Sequence, residues 1–211
     1  MHRLLRLFAV ALGVAALAAP AEALVIKQIE PHSSLASSVI NINDLGGRIE
    51  VDLTKDFTDP SMVGSPLILE FTLEASDAGK DIWLVHGADG EEVANNTGVD
   101  WTDFHFVLAN VPAGLPAFLP QNAAAEFVDL GGVSSDVFGA PASAAADQID
   151  FEGGPVASGG VVHFSGIHIS HNDAVNGIFY LKEIPTPEPA ALSLLLVGGA
   201  LVVWRRTKKT D

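Results

Sequence analysis

Between its two ends, the chain consists of short apolar runs that alternate with polar residues. In residues 67–73, Leu, Leu, Phe and Leu occupy every second position, and Glu70 and Thr72 lie among the residues between them. A period of two is typical of a strand with one buried face. Turn-forming sequences such as Asp44–Gly47, Asp77–Lys80 and Asp89–Gly90 separate the runs. This pattern excludes a helical bundle and favours a β fold.

Ten segments fit this strand pattern. They are Leu24–Ile29, Val39–Ile42, Arg48–Leu53, Leu67–Ala75, Ile82–His86, Phe104–Ala109, Ala125–Leu130, Ile149–Glu152, Val161–Ile169 and Ile178–Ile184. Many short strands without crossover helices predict an all-β domain. We expect an antiparallel β-sandwich of jelly-roll or immunoglobulin-like type over residues 24–184.

The N-terminal 23 residues have the three parts of a secretory signal peptide. Arg3 and Arg6 supply positive charge, Leu7–Ala18 is apolar, and Ala21 and Ala23 frame a small-x-small cleavage site. A buried N-terminal helix would explain the apolar run but not this order of parts. The sequence therefore predicts cleavage by signal peptidase before Leu24 and delivery through the export machinery.

The C-terminal residues 185–211 also contain three parts in a fixed order. Pro185, Pro187 and Pro189 are predicted to form an extended, exposed strip, because proline fixes φ and donates no backbone hydrogen bond. Residues 190–204 are uncharged, and as a helix they would be about 22 Å long at ~1.5 Å per residue. That is shorter than a hydrocarbon core of ~30 Å, so the predicted transmembrane helix suits a transient stop in the membrane.

A basic cluster follows the apolar segment and is predicted to remain in the cytoplasm. It consists of Arg205, Arg206, Lys208 and Lys209. The motif Pro187-Glu188-Pro189, the short apolar segment and this basic end together resemble the PEP-CTERM sorting signal. The resemblance implies a Gram-negative host that makes extracellular polysaccharide and an exosortase that cleaves near the motif. A plain membrane anchor is the alternative. Residues 95–106 also resemble segments of PEP-CTERM ectodomains, without indicating an activity.

Charge and composition limit the partners of the exported domain. Residues 24–187 contain 23 acidic and 5 basic side chains, a net charge of −18. Such a surface repels phosphate backbones, which argues against nucleic-acid binding. The chain has no cysteine, so a disulfide framework is excluded and stability has to come from a core of ordinary size.

Two groups of residues were considered for metal binding. Asp89, Glu91 and Glu92 lie beside a turn and are weak calcium candidates, since calcium prefers several oxygen ligands from flexible loops. His163, His168 and His171 are close in sequence, but on a regular strand the first two would face opposite sides of the sheet. A break at Gly166 would be needed to bring them together. We therefore expect no resident cofactor, with calcium as the one open candidate.

The sequence lacks nucleophile-elbow, zinc-protease and phosphate-loop motifs. A glycosidase needs only two carboxylates. Because this chain has many, the absence of these motifs does not exclude a glycosidase. We expect a non-enzymatic structural or binding protein of the cell surface or extracellular matrix, associated with biofilm exopolysaccharide and held in the inner membrane only transiently. The alternative is a secreted carbohydrate-active enzyme or carbohydrate-binding module acting on that matrix.

Overall fold

The computed structural model describes residues 24–28, 39–60, 63, 66–86, 90–110, 125–171 and 177–187. Their strands, in chain order, are β1 (Val25–Gln28), β2 (Val39–Asp44), β3 (Arg48–Phe57), β4 (Leu67–Thr72), β5 (Asp81–Val85), β6 (Glu91–Asn95), β7 (Trp101–Ala109), β8 (Ala125–Val128), β9 (Ser134–Ser135), β10 (Ser143–Ala144), β11 (Gln148–Val156), β12 (Gly160–Ser165), β13 (His168–His171) and β14 (Ile178–Pro187). Two short 3₁₀ helices cover Ala75–Asp77 and Leu130–Gly132. The predicted all-β class is confirmed.

The strands form two sheets. The first has six strands in the order β1-β4-β14-β7-β11-β10, and its pairs are antiparallel. The second contains β2, β3, β5, β6, β8, β9, β12 and β13. In this sheet β3 pairs in parallel with both β5 and β6. The expectation of a wholly antiparallel arrangement was therefore wrong for β3 and its two parallel partners.

The second sheet contains interrupted strands. Along β3, residues 48–52 pair with β5 and residues 54–57 pair with β6. On the edges of β5 and β6 that face away from β3, β13 pairs with β5 and β12 pairs with β6. Only Gly166 and Ile167 separate β12 from β13, and so short a segment cannot cross several strands that are ~4.8 Å apart. β5 and β6 therefore follow one another along the same edge of β3.

Aromatic rings from both sheets meet in one hydrophobic core. Phe164 of β12 contacts three rings of the first sheet, those of Phe104, Phe106 and Phe151, with centroid distances of 4.8, 4.9 and 4.9 Å. Phe57 of β3 similarly lies edge-on to Trp101 of β7 at 5.3 Å. All six of these phenylalanine and tryptophan rings are buried. This shared core joins the two sheets.

For the described residues of the predicted proline strip, the extended conformation is confirmed, but the predicted exposure was wrong for Pro185, and Pro187 is only partly exposed. β14 continues through Pro185, which is buried, to Pro187. Pairing with β4 ends at Glu183, whereas pairing with β7 continues to Pro187. One side of β14 thus has no strand partner among the described residues there, which suits proline because it donates no ladder hydrogen bond.

No helix within the described ranges is long and apolar enough to span a membrane. The predicted signal peptide, with Ala21 and Ala23, lies outside those ranges. So do Glu188, Pro189, the predicted transmembrane segment 190–204 and the basic cluster.

Candidate functional site

A lysine and two glutamates meet inside the core. Lys55 lies on β3, Glu91 on β6 and Glu183 on β14, so the group, which we call the Lys55 cluster, connects the two sheets. Nζ of Lys55 donates hydrogen bonds to Oε1 of Glu91 and to Oε1 of Glu183. The three side chains have 0% of their surface exposed.

Strand periodicity places each of these side chains in the interior. β3 alternates between partly exposed and buried positions, and Lys55 occupies a buried position between Leu53 and Phe57. β14 directs Leu181 and Glu183 to the same face, and Leu181 belongs to the main core. Neither Lys55 nor Glu183 was among the predicted site residues, although a lysine at a position of β3 that should be apolar was a visible signal.

The electrostatics of the Lys55 cluster reflect two acids sharing one base. Burial, reinforced by Glu91, raises the pKa of Glu183 to about 8 even though Lys55 opposes the shift. Burial on its own would lower the pKa of Lys55, but the two carboxylates outweigh it and the pKa is raised. The raised pKa of Glu183 favours its protonated form at neutral pH, beside the ammonium of Lys55.

Each of the two glutamates has one carboxyl oxygen that takes no part in these hydrogen bonds. Oε2 of Glu91 and Oε2 of Glu183 are buried and have no hydrogen-bond partner among the described residues. Buried polar atoms are normally paired, and leaving one unpaired costs about 1–3 kcal/mol. The Lys55 cluster is thus an expensive arrangement in the interior of the domain.

Glu91 and Glu92, the two calcium candidates that the structure describes, do not converge. Glu91 points into the core toward Lys55, whereas Glu92 lies on the outer face of β6. Adjacent residues of a strand point to opposite faces, so these two carboxylates cannot bind one ion from a regular strand. Asp89 lies outside the described residues, and no group of three or more His, Asp or Glu within them has the arrangement of a metal site.

The outer face of the second sheet carries alternating histidines and acids. Oδ1 of Asp52 lies 2.8 Å from Nδ1 of His86. Oε2 of Glu92 lies 3.8 Å from Nε2 of His86 and 3.4 Å from Nε2 of His163. Nδ1 of His163 is 2.8 Å from Oδ2 of Asp136. These five residues, from β3, β6, β12 and the positions that follow β5 and β9, form a row across the outer face.

The expectation that His163 and His168 face opposite sides was wrong. His163 and His168 both lie on the outer face, because Gly166 inserts an extra residue between β12 and β13 and resets the alternation. Gly166 has φ +74°, and a Cβ there would lie 2.3 Å from the carbonyl oxygen of Gly132. Only glycine suits that position. The two histidines still belong to different contacts.

His168 stacks on Trp83 instead of joining the row of His163. The ring centroids are 3.7 Å apart, with an angle of 21° between the planes. The guanidinium carbon of Arg48 lies 4.1 Å from the centroid of the Trp83 ring, within the range of a cation–π contact. Trp83 is on β5, between the strand that carries Arg48 and the strand that carries His168. A surface depression beside the stack is lined by Leu45, Gly47, Arg48, Asp81 and Trp83.

His105 lies on the face of β7 opposite Phe104 and Phe106, as a period of two requires. Phe104 and Phe106 are buried on one face of β7, whereas Nδ1 of His105 lies 2.7 Å from Oδ1 of Asp150 on β11. Hydrogen bonds from Ser143, Gln148 and His105 outweigh partial burial and lower the pKa of Asp150. This contact joins two strands of the first sheet.

The comparisons with known proteins gave no match. No protein-family model, curated protein or solved structure matches this chain.

We expect Asp136→Asn to lower the pKa of His163. The side chain of Asp136 accepts from both the ring and the backbone N–H of His163, and its hydrogen bond is the largest cause of the raised pKa of His163. Because the folded-state pKa is raised, the contact stabilises the domain below the unfolded-state pKa, and this contribution is lost as pH rises through the folded-state pKa. An NMR titration of the ring proton measures the change.

Glu126→Gln is the matched control, since it removes one negative charge from β8, which pairs with β13 and not with β12. We expect the control to leave the titration of His163 close to that of the wild type. An equal shift in both variants would mean that overall charge, and not the contact with Asp136, controls His163.

Proposed function

We propose that this chain is an exported surface or extracellular-matrix protein with a structural or binding role. In this proposal the two sheets form a β-sandwich ectodomain that is delivered by the signal peptide. An exosortase then processes the chain at Pro187-Glu188-Pro189. The association with extracellular polysaccharide rests on the resemblance of the C-terminal segment to PEP-CTERM signals.

The environment of the two tryptophans of residues 24–187 favours this role over a carbohydrate-binding module. Trp101 is completely buried. Trp83 is covered by the guanidinium of Arg48 and the ring of His168, which come from the strands on its two sides. Sugar-binding sites use exposed aromatic faces for stacking, and these two rings are occupied by contacts within the domain. This observation carries the proposal.

The position of the paired carboxylates supports a non-enzymatic role. Glu91 and Glu183 are two acids held close together by Lys55, but both are fully buried. A glycosidase mechanism requires its two carboxylates to flank a bound sugar. The Lys55 cluster therefore suits an internal role in the domain.

We expect the surface form of the protein to begin near Leu24 and to end near Pro187–Pro189. The test is expression of the full chain in a Gram-negative host that has an exosortase, followed by separation of membrane, surface and matrix fractions. Mass spectrometry then identifies both termini. Glu188→Ala should leave export intact but hold the chain in the inner membrane, because the processing motif is altered while residues 190–204 remain.

Glu152→Ala is the matched control, since it removes an exposed carboxylate of β11 and should be processed as the wild type is. Recovery of surface protein that still contains Asp211 would contradict processing and leave the plain anchor. Recovery of Met1 would contradict the signal peptide.

A further inference from the structure

The Lys55 cluster contains the reactants of an amide bond. Nζ of Lys55 contacts the carboxyl groups of Glu91 and Glu183 in an interior from which solvent is excluded. Lys55 belongs to the second sheet and Glu183 to the first, and the two residues are 128 positions apart in the chain. A covalent bond between them would join the sheets directly.

We propose that Lys55 and Glu183 condense spontaneously in the folded protein to form an intramolecular isopeptide bond, with Glu91 as the proton relay. Glu91 first takes a proton from the ammonium of Lys55. The lone pair of the free amine then attacks Cδ of the protonated Glu183 carboxyl and forms the C–N bond. Glu91 transfers a proton from the nitrogen to the hydroxyl of Glu183, the C–O bond breaks, and one water leaves. The product is a neutral amide beside a protonated Glu91, so atoms and charge balance without an oxidant or a co-reactant.

The position of the two reacting groups, which the fold holds in contact, favours the condensation. Reactants held in contact by a folded structure have effective concentrations of about 10⁵–10⁸ M. The product also removes a buried ammonium and a buried carboxylate, which are costly to keep away from water. With no cysteine in the chain, a link of this kind would serve as a covalent tie that closes a long loop and so constrains the unfolded chain.

The chemistry of the two acids assigns their roles. A protonated carboxyl is the electrophile in this condensation, because the negative charge of a carboxylate opposes attack by the amine, whereas the hydroxyl of the protonated acid leaves as water once Glu91 has given it a proton. Burial and the neighbouring Glu91 keep Glu183 in that form at neutral pH by raising its pKa to about 8. Glu91 contacts the same amine from β6, so it is placed to move the proton between nitrogen and oxygen.

Intact-mass spectrometry of the purified full chain tests the proposal. After terminal processing is accounted for, most wild-type molecules should be lighter than their sequence by one water, also after denaturation. Fragmentation of a tryptic digest should recover a branched peptide that links Lys55 to Glu183. The linked chain should also migrate faster than the unlinked chain on a denaturing gel.

Three variants complete the test. Lys55→Met and Glu91→Gln should have the full sequence mass, the first because it lacks the amine and the second because it lacks the relay. Lys80→Met should lose the water as the wild type does, since Lys80 pairs with Asp44 at the surface. Circular dichroism verifies that each variant folds, and the wild-type measurement stands even where a variant does not fold.

Dehydration at Asp89-Gly90 to a succinimide would also remove one water, and it would persist in Lys55→Met. Folded wild-type protein with the full sequence mass, a loss of water that persists in Lys55→Met, or a branch that joins Lys55 to Glu91 would each overturn the proposal. None of these results depends on export or processing of the chain, so they are independent of the proposed surface role.

Discussion

Replacing Lys55 with methionine is expected to lower the free energy of unfolding by about 3–5 kcal/mol. The substitution leaves Glu91 and Glu183 buried without their shared base, and breaking a buried ion pair on one side costs more than removing the whole group. It also removes the amine needed for the proposed cross-link. Urea denaturation followed by circular dichroism measures the loss.

Two further variants isolate the cause. In Lys55→Met/Glu91→Leu/Glu183→Leu no charge of the Lys55 cluster remains, and we expect this triple variant to be clearly more stable than Lys55→Met, because apolar residues often replace a buried ion group at little cost. Neither Lys55→Met nor the triple variant contains Lys55, so cross-linking does not affect the comparison between these two. Lys80→Met, which removes the partner of the exposed Asp44, should leave the free energy of unfolding close to that of the wild type. A triple variant no more stable than Lys55→Met would show that the buried acids are not the source of the loss.

Phe164→Ala is expected to cost about 3–5 kcal/mol of unfolding free energy. The ring lies within 4.8–6.1 Å, centroid to centroid, of four other phenylalanine rings, and three of these belong to the opposite sheet. Its removal leaves a cavity that a rigid two-sheet interface cannot fill. The change is measured by urea denaturation.

Val161→Ala is the control on the same strand, because its side chain is 43% exposed, and we expect it to change the free energy of unfolding by about 0.5 kcal/mol or less. Phe164→Leu should fall between the two variants, because it restores part of the lost volume. A loss in Phe164→Ala no larger than that of the control would contradict the packing of the two sheets on each other.

The strands with regular alternation were predictable from local sequence. Buried residues of β3 recur at every second position, β4 alternates from Leu69 to Thr72, and both strands were predicted close to their observed positions. The reason is that a strand with one buried face alternates apolar and polar residues, so its own sequence indicates which residues are buried. β6 was missed because Asp89-Gly90-Glu91-Glu92 has the composition of an acidic loop. The burial of Glu91 depends on Lys55, which is 36 positions away in the chain.

The sequence by itself determined the all-β class, the acidic character of the domain, the inward position of Phe104 and Phe106, and the outward position of His105, since these follow from composition and from a period of two. Only the tertiary structure decided the parallel pairing of β3, the burial of Pro185 and the meeting of Lys55 with Glu91 and Glu183. Pairing partners are set by contacts between distant segments, and a one-residue interruption such as Gly166 reverses every face that follows it. A charged residue is rarely buried in a core unless it is paired. The partners of Lys55 lie on other strands, and the local sequence pattern does not indicate which residues they are.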